Sequence, residues 1–95
     1  MTIQLETTYR LSCYPNNIYP HQIMIGVKKP NGEYDERTYP PIHQMMIALA
    51  EREALARIWL DSQKFGWQQS DRGSLYVVYE FPRKEIAMMF KLAMA

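Results

Sequence analysis

One thiol and two imidazoles are the side chains of this chain best suited to nucleophilic chemistry. Cys13 could attack a substrate with His21 or His43 as its base, because an imidazole can remove the proton of a thiol. Cys13 falls in the inward series of an alternating strand, however, where a buried, unreactive thiol is the usual outcome. We therefore expect Cys13 to be a core residue and assign no catalytic residue.

The sequence contains no pattern typical of a metal site, a catalytic acid or base, or a phosphate-binding loop. The two histidines and the cysteine lack the short paired spacing of metal ligands. The carboxylates cluster among arginines, around Arg37 and around Arg52, which is typical of a solvated face. The glycines fall at turns or bulges and match no phosphate-binding pattern. The sequence thus predicts no metal site, no cofactor and no enzyme.

Tyrosines interleaved with basic residues are the strongest functional signal in the chain. On an open sheet, tyrosine rings can stack on bases or pack against a protein while Lys and Arg hold phosphates. The candidate interaction surface comprises Tyr9, Arg10, Tyr14, Tyr19, Lys28, Tyr34, Arg37 and Tyr39. The alternative interpretation is that several of these tyrosines help close the core, and that Tyr14, Tyr19 and Tyr39, each followed by a proline, pack against the edge of the sheet.

Strands must position most of these side chains. Residues 2–14 alternate with a period of two, which predicts a long strand with one wet face. Its inward series is Ile3, Leu5, Thr7, Tyr9, Leu11 and Cys13. Residues 22–29 and 33–39 predict two further strands on either side of an Asn-Gly turn, and the polar character of 33–39 suits a sheet edge.

Helical patterns and a second hairpin complete the predicted order β-β-β-α-β-β-α. Residues 42–64 contain no Gly or Pro, and the all-round apolar stretch 45–50 predicts that their first half is well buried. Residues 65–69 and 75–81 form the hairpin, and 84–94 form the last helix. The expected fold is α+β, a mostly antiparallel five-stranded sheet with both helices packed on one face. The expected core is Leu5, Leu11, Ile25, Met46, Leu49, Trp59, Val77, Phe81, Ile86 and Phe90.

The composition limits the class of protein. Ninety-five residues predict a single α+β domain spanning 1–95. Eleven basic and ten acidic residues leave a net charge of +1, so no long-range field steers nucleic acid or an anionic membrane toward the chain. The start of the chain lacks a signal-peptide pattern, and no apolar run approaches the ~20 residues that a membrane-spanning helix needs. We expect a soluble, cytoplasmic protein.

The C-terminal segment 79–92, which reads YEFPRKEIAMMFKL, resembles the ends of many small uncharacterised proteins of tailed bacteriophages. In those proteins an aromatic strand is followed by charged residues, an Ala and a Phe-Lys-Leu segment. Many of them have an acidic residue before the Ala and a Trp after the Leu, where this chain has Ile86 and Ala93. The resemblance covers only the last strand and helix. It implies a viral accessory protein of α+β fold in the host cytoplasm, without a site residue.

The sequence therefore predicts a small non-enzymatic interaction protein, phage-encoded, that acts through a protein partner or as a homo-oligomer. The alternative is single-stranded nucleic-acid binding by the open face of the sheet. That alternative requires an exposed tyrosine, Tyr9 or Tyr34, beside a basic side chain, and its binding would weaken steeply with salt. The basic candidates are Arg10, Lys28 and Arg37.

Overall fold

The computed structural model describes residues 3–14, 16–28 and 42–95. The elements in these ranges are β1 (Leu5–Leu11), β2 (His21–Val27), α1 (Ile42–Asp61), β3 (Gln68–Arg72), β4 (Tyr76–Phe81) and α2 (Lys84–Met94). The strands form one antiparallel sheet in the order β1-β2-β4-β3. The described part of the chain is thus an α+β fold with a four-stranded antiparallel sheet and two helices.

Strand β4 lies in the middle of the sheet because it is apolar on both faces. It pairs with β2 on one side, where Ile23 lies opposite Tyr79, and with β3 on the other. The β3–β4 turn is closed by a hydrogen bond from the Gly73 N–H to the Tyr76 carbonyl. The Tyr76 ring covers Gly73 so closely that a Cβ on this residue would displace the ring.

Both helices cover the same face of the sheet. Strands β2 and β4 contribute Ile23, Ile25, Val77, Tyr79 and Phe81 to the core, and these side chains alternate with residues on the other face. The helices contribute Leu49, Ala56, Leu60, Ala87, Phe90 and Met94. The Phe90 ring is central, with centroids 5.1 Å from Tyr79, 5.1 Å from Phe81 and 5.6 Å from Trp59. Phe90 therefore joins α2 to β4 and to α1.

The predicted α+β class and antiparallel pairing are confirmed, whereas the predicted count of five strands is not matched. Four strands are described, and the strand predicted over 33–39 lies outside the described residues. The hairpin strand predicted at 65–69 spans Gln68–Arg72 instead, and its register against β4 shifts between Gln69 and Asp71. The order of described elements is β-β-α-β-β-α.

The first strand is shorter than its alternating pattern predicts. β1 ends at Leu11, after which the Ser12 N–H bonds to the Pro20 carbonyl and the chain turns. Cys13 is exposed, so the prediction of a buried thiol is wrong. Leu11 is also exposed, because it closes an edge strand at the end of the sheet. Alternation identifies a face but does not show where the helices stop covering it.

The remaining core predictions divide into three groups. Ile25, Leu49, Val77, Phe81 and Phe90 are buried as predicted. Leu5, Trp59 and Ile86 are half-buried at the edges of the core. Met46 is exposed, together with its neighbour Ile47, because the buried stripe of α1 runs through Met45, Leu49, Ala56 and Leu60. The prediction that the first half of this helix is well buried is therefore wrong.

Truncation of Phe90 should reveal how much of the fold depends on the docking of α2. We expect Phe90→Ala to lower the free energy of unfolding by ~3–5 kcal/mol, because it removes a fully buried ring from three aromatic contacts. Leu92→Ala is the matched control on the same helix, since Leu92 is 78% exposed and its loss should cost under ~0.5 kcal/mol. Urea denaturation measures both. Equal costs would mean that α2 is not docked.

Candidate functional site

The described members of the predicted interaction surface do not form one surface. Tyr34, Arg37 and Tyr39 lie outside the described residues. Tyr9 and Arg10 are consecutive in β1, so their side chains lie on opposite faces of the sheet. Tyr9 is half-buried on the helical side. Its hydroxyl is 2.8 Å from His21 Nδ1, and the Lys84 ammonium lies 5.7 Å from its ring centroid.

The loop members of the predicted surface are separate as well. Tyr14 is exposed, whereas Tyr19 is half-buried against Gly66. Lys28 is exposed, and its N–H extends the pairing of β1 with β2 by bonding to the Gln4 carbonyl. Among the five described members, no side-chain hydrogen bond or ion pair joins one to another. Tyrosines and basic residues that alternate in the sequence, such as Tyr9 and Arg10, therefore need not share a face of the sheet.

The candidate nucleophile does not meet its base. Cys13 is exposed, which leaves it free to react, but no hydrogen bond joins it to His21 or His43. His21 is instead bonded to Tyr9 through Nδ1, and His43 is exposed in the first turn of α1. Within residues 3–14, 16–28 and 42–95, no group of three His, Cys, Asp or Glu side chains could hold a metal ion.

A polar row crosses the face of the sheet that points away from the helices. One side chain from each strand contributes at the same register, in the order Arg10, Gln22, Glu80 and Gln68. Arg10 Nε donates to Gln22 Oε1 at 2.9 Å, and Gln22 Nε2 donates to Glu80 Oε2 at 2.6 Å. Gln68 Nε2 donates to Glu80 Oε1 at 2.7 Å. All the hydrogen bonds of the row are thus directed toward the Glu80 carboxylate, which accepts from both sides.

Glu80 is only 4% exposed, which is unusual for an acid in a small protein. Side-chain amides satisfy both of its oxygens, including a third donation from Asn17 Nδ2 at 3.3 Å. Gln22 also links it to the Arg10 guanidinium, so an amide bridges the two opposite charges. Sequence analysis missed this row. Its one available signal was an acid inside the otherwise apolar strand Tyr76–Phe81.

Replacement of this carboxylate by an amide should destabilise the sheet. Glu80→Gln replaces one carboxylate oxygen by an NH₂ group. This group cannot accept the hydrogen bond that Gln22 or Gln68 donates to Glu80. We expect the free energy of unfolding to fall by ~1–3 kcal/mol, the cost of leaving buried donors unpaired. Glu85→Gln is the matched control, because Glu85 is exposed and pairs with Arg83 at 3.5 Å only at the surface. A loss no larger than that of the control would show that the row contributes nothing to stability.

A groove between α1 and α2 has a mainly apolar lining. We name it the helix groove; its volume is about 370 Å³, and it is lined by Arg52, Leu55, Ile58, Trp59, Ser62, Ala93 and Met94. The Arg52 guanidinium bonds to the Met94 carbonyl and so ties the end of α2 to the middle of α1. Leu55 and Ile58 form an exposed wall, and Ile58 is 68% exposed.

Exposed apolar side chains extend beyond the helix groove along both helices. The helices expose seven large apolar side chains, which are Ile42, Met46, Ile47, Leu55, Ile58, Met89 and Leu92. Met89 lies one turn before Ala93, so α2 continues the apolar wall of the groove along its own axis. Scattered exposed apolar residues need no explanation, but Leu55 and Ile58 border a groove, and exposed apolar side chains at a groove are typical of an interaction site.

A second hollow of about 360 Å³ lies on another side of α1, between this helix and the hairpin. We name it the arginine hollow; it is lined by Ala50, Glu53, Ala54, Arg57, Gln69, Arg72 and Tyr79. Arg72 donates to Glu53 Oε1 through Nε at 2.9 Å and Nη2 at 2.5 Å. This hydrogen bond is the main cause of the raised pKa of Arg72, and the negative charge of Glu53 adds to it.

Tyr79 forms the floor of the arginine hollow. It is buried, and burial is the main reason that its pKa rises to about 12, with a further contribution from the charge of Glu53. The hydroxyl therefore stays protonated at neutral pH. On the other face of the sheet Tyr76 donates to Asp71 Oδ2 at 3.0 Å, and this bond raises its pKa too.

No protein-family model, curated protein or solved structure matches this chain. Within the described residues, neither helix is both long and apolar enough to cross a membrane. The function must therefore be argued from the surfaces themselves.

The raised pKa of Tyr79 predicts how stability depends on pH. Because the folded pKa of about 12 exceeds the ordinary value of 10, the folded state holds this proton where the unfolded chain has lost it. The contribution of Tyr79 to the free energy of unfolding is then complete below pH 10 and is lost between pH 10 and 12. Urea denaturation across this window should show a shallower decline for Tyr79→Phe than for the wild type. Tyr14→Phe, at an exposed tyrosine, should keep the wild-type slope.

Proposed function

We propose that this protein is a small non-enzymatic interaction protein that acts as a homo-oligomer, with the helix groove as the contact between two copies. The observation that carries the proposal is the apolar lining of the helix groove, in which Leu55 and Ile58 are exposed beside the half-buried Trp59. Burying such side chains against another protein is favourable by roughly 25 cal/mol per Å² of apolar surface removed from water.

The shape of the surface suits contact with an identical partner. A two-fold interface uses the same patch on both copies, so the patch must contain both a ridge and a groove. Here the wall formed by Leu55 and Ile58 is a ridge, and the space between this wall and Ala93 is a groove. The ridge of one copy can therefore enter the groove of the other, as helices commonly pack.

The charges around the groove are also compatible with self-association. A rim of one sign would face itself across a two-fold axis and repel. Arg52 is the charged residue of the lining, and Glu51 next to it in α1 brings the opposite sign close to the groove. The net charge of +1 adds little repulsion between whole copies.

The described geometry favours protein contact over single-stranded nucleic-acid binding. Tyr9 and Arg10 lie on opposite faces of the sheet, so they do not form a stacking platform with a phosphate anchor. The face that carries Arg10 also carries the buried carboxylate of Glu80, which opposes a polyanion. The phage origin of the protein belongs to the proposal as well and rests on the C-terminal resemblance alone.

Analytical ultracentrifugation over a range of protein concentrations tests the contact. We expect the wild type to self-associate and Ile58→Glu to shift it toward monomer by about tenfold or more in dissociation constant, because a charge would be buried at the centre of the contact. Ile58 is already exposed in one copy, so the substitution should leave the fold intact.

Ile18→Glu provides the matched control for this experiment. Ile18 is 76% exposed, close to the value for Ile58, but it lies in the β1–β2 connection far along the chain from the helices. This variant should associate like the wild type. A wild type that stays monomeric up to high micromolar concentration would refute the proposal, as would equal weakening by both variants.

A further inference from the structure

We propose that the arginine hollow binds the oxyanion of a small molecule, a phosphate or a carboxylate group. Two guanidinium groups from separate elements line it, Arg57 from α1 and Arg72 from β3. Arginine is the side chain best matched to both oxyanions, because its planar N–H groups can bind two oxygens at once. The proposal is independent of the dimer contact, since the residues lining the two sites do not overlap.

Both guanidinium groups have partners within the free protein. Arg72 is fixed by its two hydrogen bonds to Glu53. Arg57 lies over the Trp67 ring, 5.1 Å from its centroid, with Asp61 Oδ1 at 3.4 Å from its Nε. Side chains that are already ordered lose less entropy on binding, so they bind a ligand more tightly than free side chains of the same charge.

The hollow keeps donors available for a ligand. Each guanidinium has five N–H groups. Arg72 directs Nε and Nη2 at a single oxygen of Glu53, and the Nη groups of Arg57 have no acceptor among the described side chains. The protonated hydroxyl of Tyr79 in the floor adds a neutral donor, and Gln69 adds an amide. These groups are all suited to bind oxygen.

Charge and size agree with a small anion. The residues that line the hollow carry one excess positive charge, from two arginines and one glutamate, and the exposed Asp61 beside Arg57 offsets part of it. The volume of about 360 Å³ is at the lower end of the usual range for small-molecule sites. Ala50 and Ala54 form the helical wall, and their short side chains are what leaves this space open beside the arginines.

Titration with inorganic phosphate, followed by the indole N–H resonances in a ¹H–¹⁵N spectrum, tests the site. The protein has two tryptophans, so Trp67 beneath Arg57 reports on the hollow and Trp59, in the helix groove, serves as the internal reference. We expect a saturable shift of the Trp67 signal in the millimolar range at constant ionic strength, with sodium chloride as the balancing salt. A parallel titration with acetate distinguishes a phosphate site from a carboxylate site.

Three variants test whether the side chains of the arginine hollow determine the affinity for phosphate. Arg57→Gln should weaken binding by about tenfold or more, the loss expected for a charged hydrogen bond. Glu53→Gln should tighten it, because it removes a negative charge from the hollow while the amide oxygen can still accept a hydrogen bond from Arg72. Arg83→Gln is the matched control, since Arg83 is exposed and pairs only with Glu85. Damage to the fold would weaken phosphate binding, so it could not explain the tighter binding expected for Glu53→Gln.

Each result of the titrations either supports or refutes the oxyanion site. A saturable Trp67 shift that Arg57→Gln weakens and Arg83→Gln leaves unchanged supports the site. The absence of a saturable shift with both phosphate and acetate refutes it. A shift that persists unchanged in Arg57→Gln also refutes it, because binding would then occur elsewhere.

Discussion

The contact between α2 and β4 through Phe90 is the interaction on which the rest of the structure depends. The ring touches Tyr79 and Phe81 on the strand and Trp59 on α1, so one side chain holds three elements together. Aromatic pairs at these separations add specific tilted geometry to the burial of their area. With Phe90 in place, α2 can lie only across β4 and beside α1, and the space left between the helices becomes the helix groove.

The position of α1 follows from this arrangement and explains why one helix serves three purposes. Its stripe through Leu49, Ala56 and Leu60 faces the core. A second side, with Leu55 and Ile58, borders the helix groove, and a third, with Arg57, borders the arginine hollow. Apolar residues all round a helix normally indicate complete burial. Here they indicate one buried side and one exposed side, which is why the helical surface is a candidate for protein contact.

The outer face of the sheet is organised by a different principle. Hydrogen bonds rather than apolar packing order the side chains of Arg10, Gln22, Gln68 and Glu80. A buried carboxylate is costly unless donors surround it, and each donor comes from a different strand or loop. A shift of one residue in the register of β2 or β3 against β4 would remove a partner from Glu80, and a shift of β1 would remove Arg10 from Gln22. The row therefore makes the register of the sheet specific as well as satisfying one charge.

The sequence by itself determined the class of fold and most of its elements, because local patterns are strong where a strand or helix is long. The alternation in residues 2–14, the apolar strand ending at Phe81 and the helix formers after Pro41 each depend on near neighbours in the chain. The buried residues Leu49, Val77 and Phe90 were predictable for the same reason. The exposure of Cys13 and Met46 was not, since it depends on where distant elements stop covering a face.

Only the tertiary structure decided which side chains meet. Tyr9 and Arg10 are neighbours in sequence and are separated by the sheet, whereas Arg57 and Arg72 are distant in sequence and share one hollow. Asn17 and Glu80 are brought together in the same way, across 63 positions of the chain. A surface is made by the packing of elements against each other, and periodicity within one element carries no information about its neighbours. The candidate sites of this protein therefore became visible only after α1, β3 and β4 had been placed together.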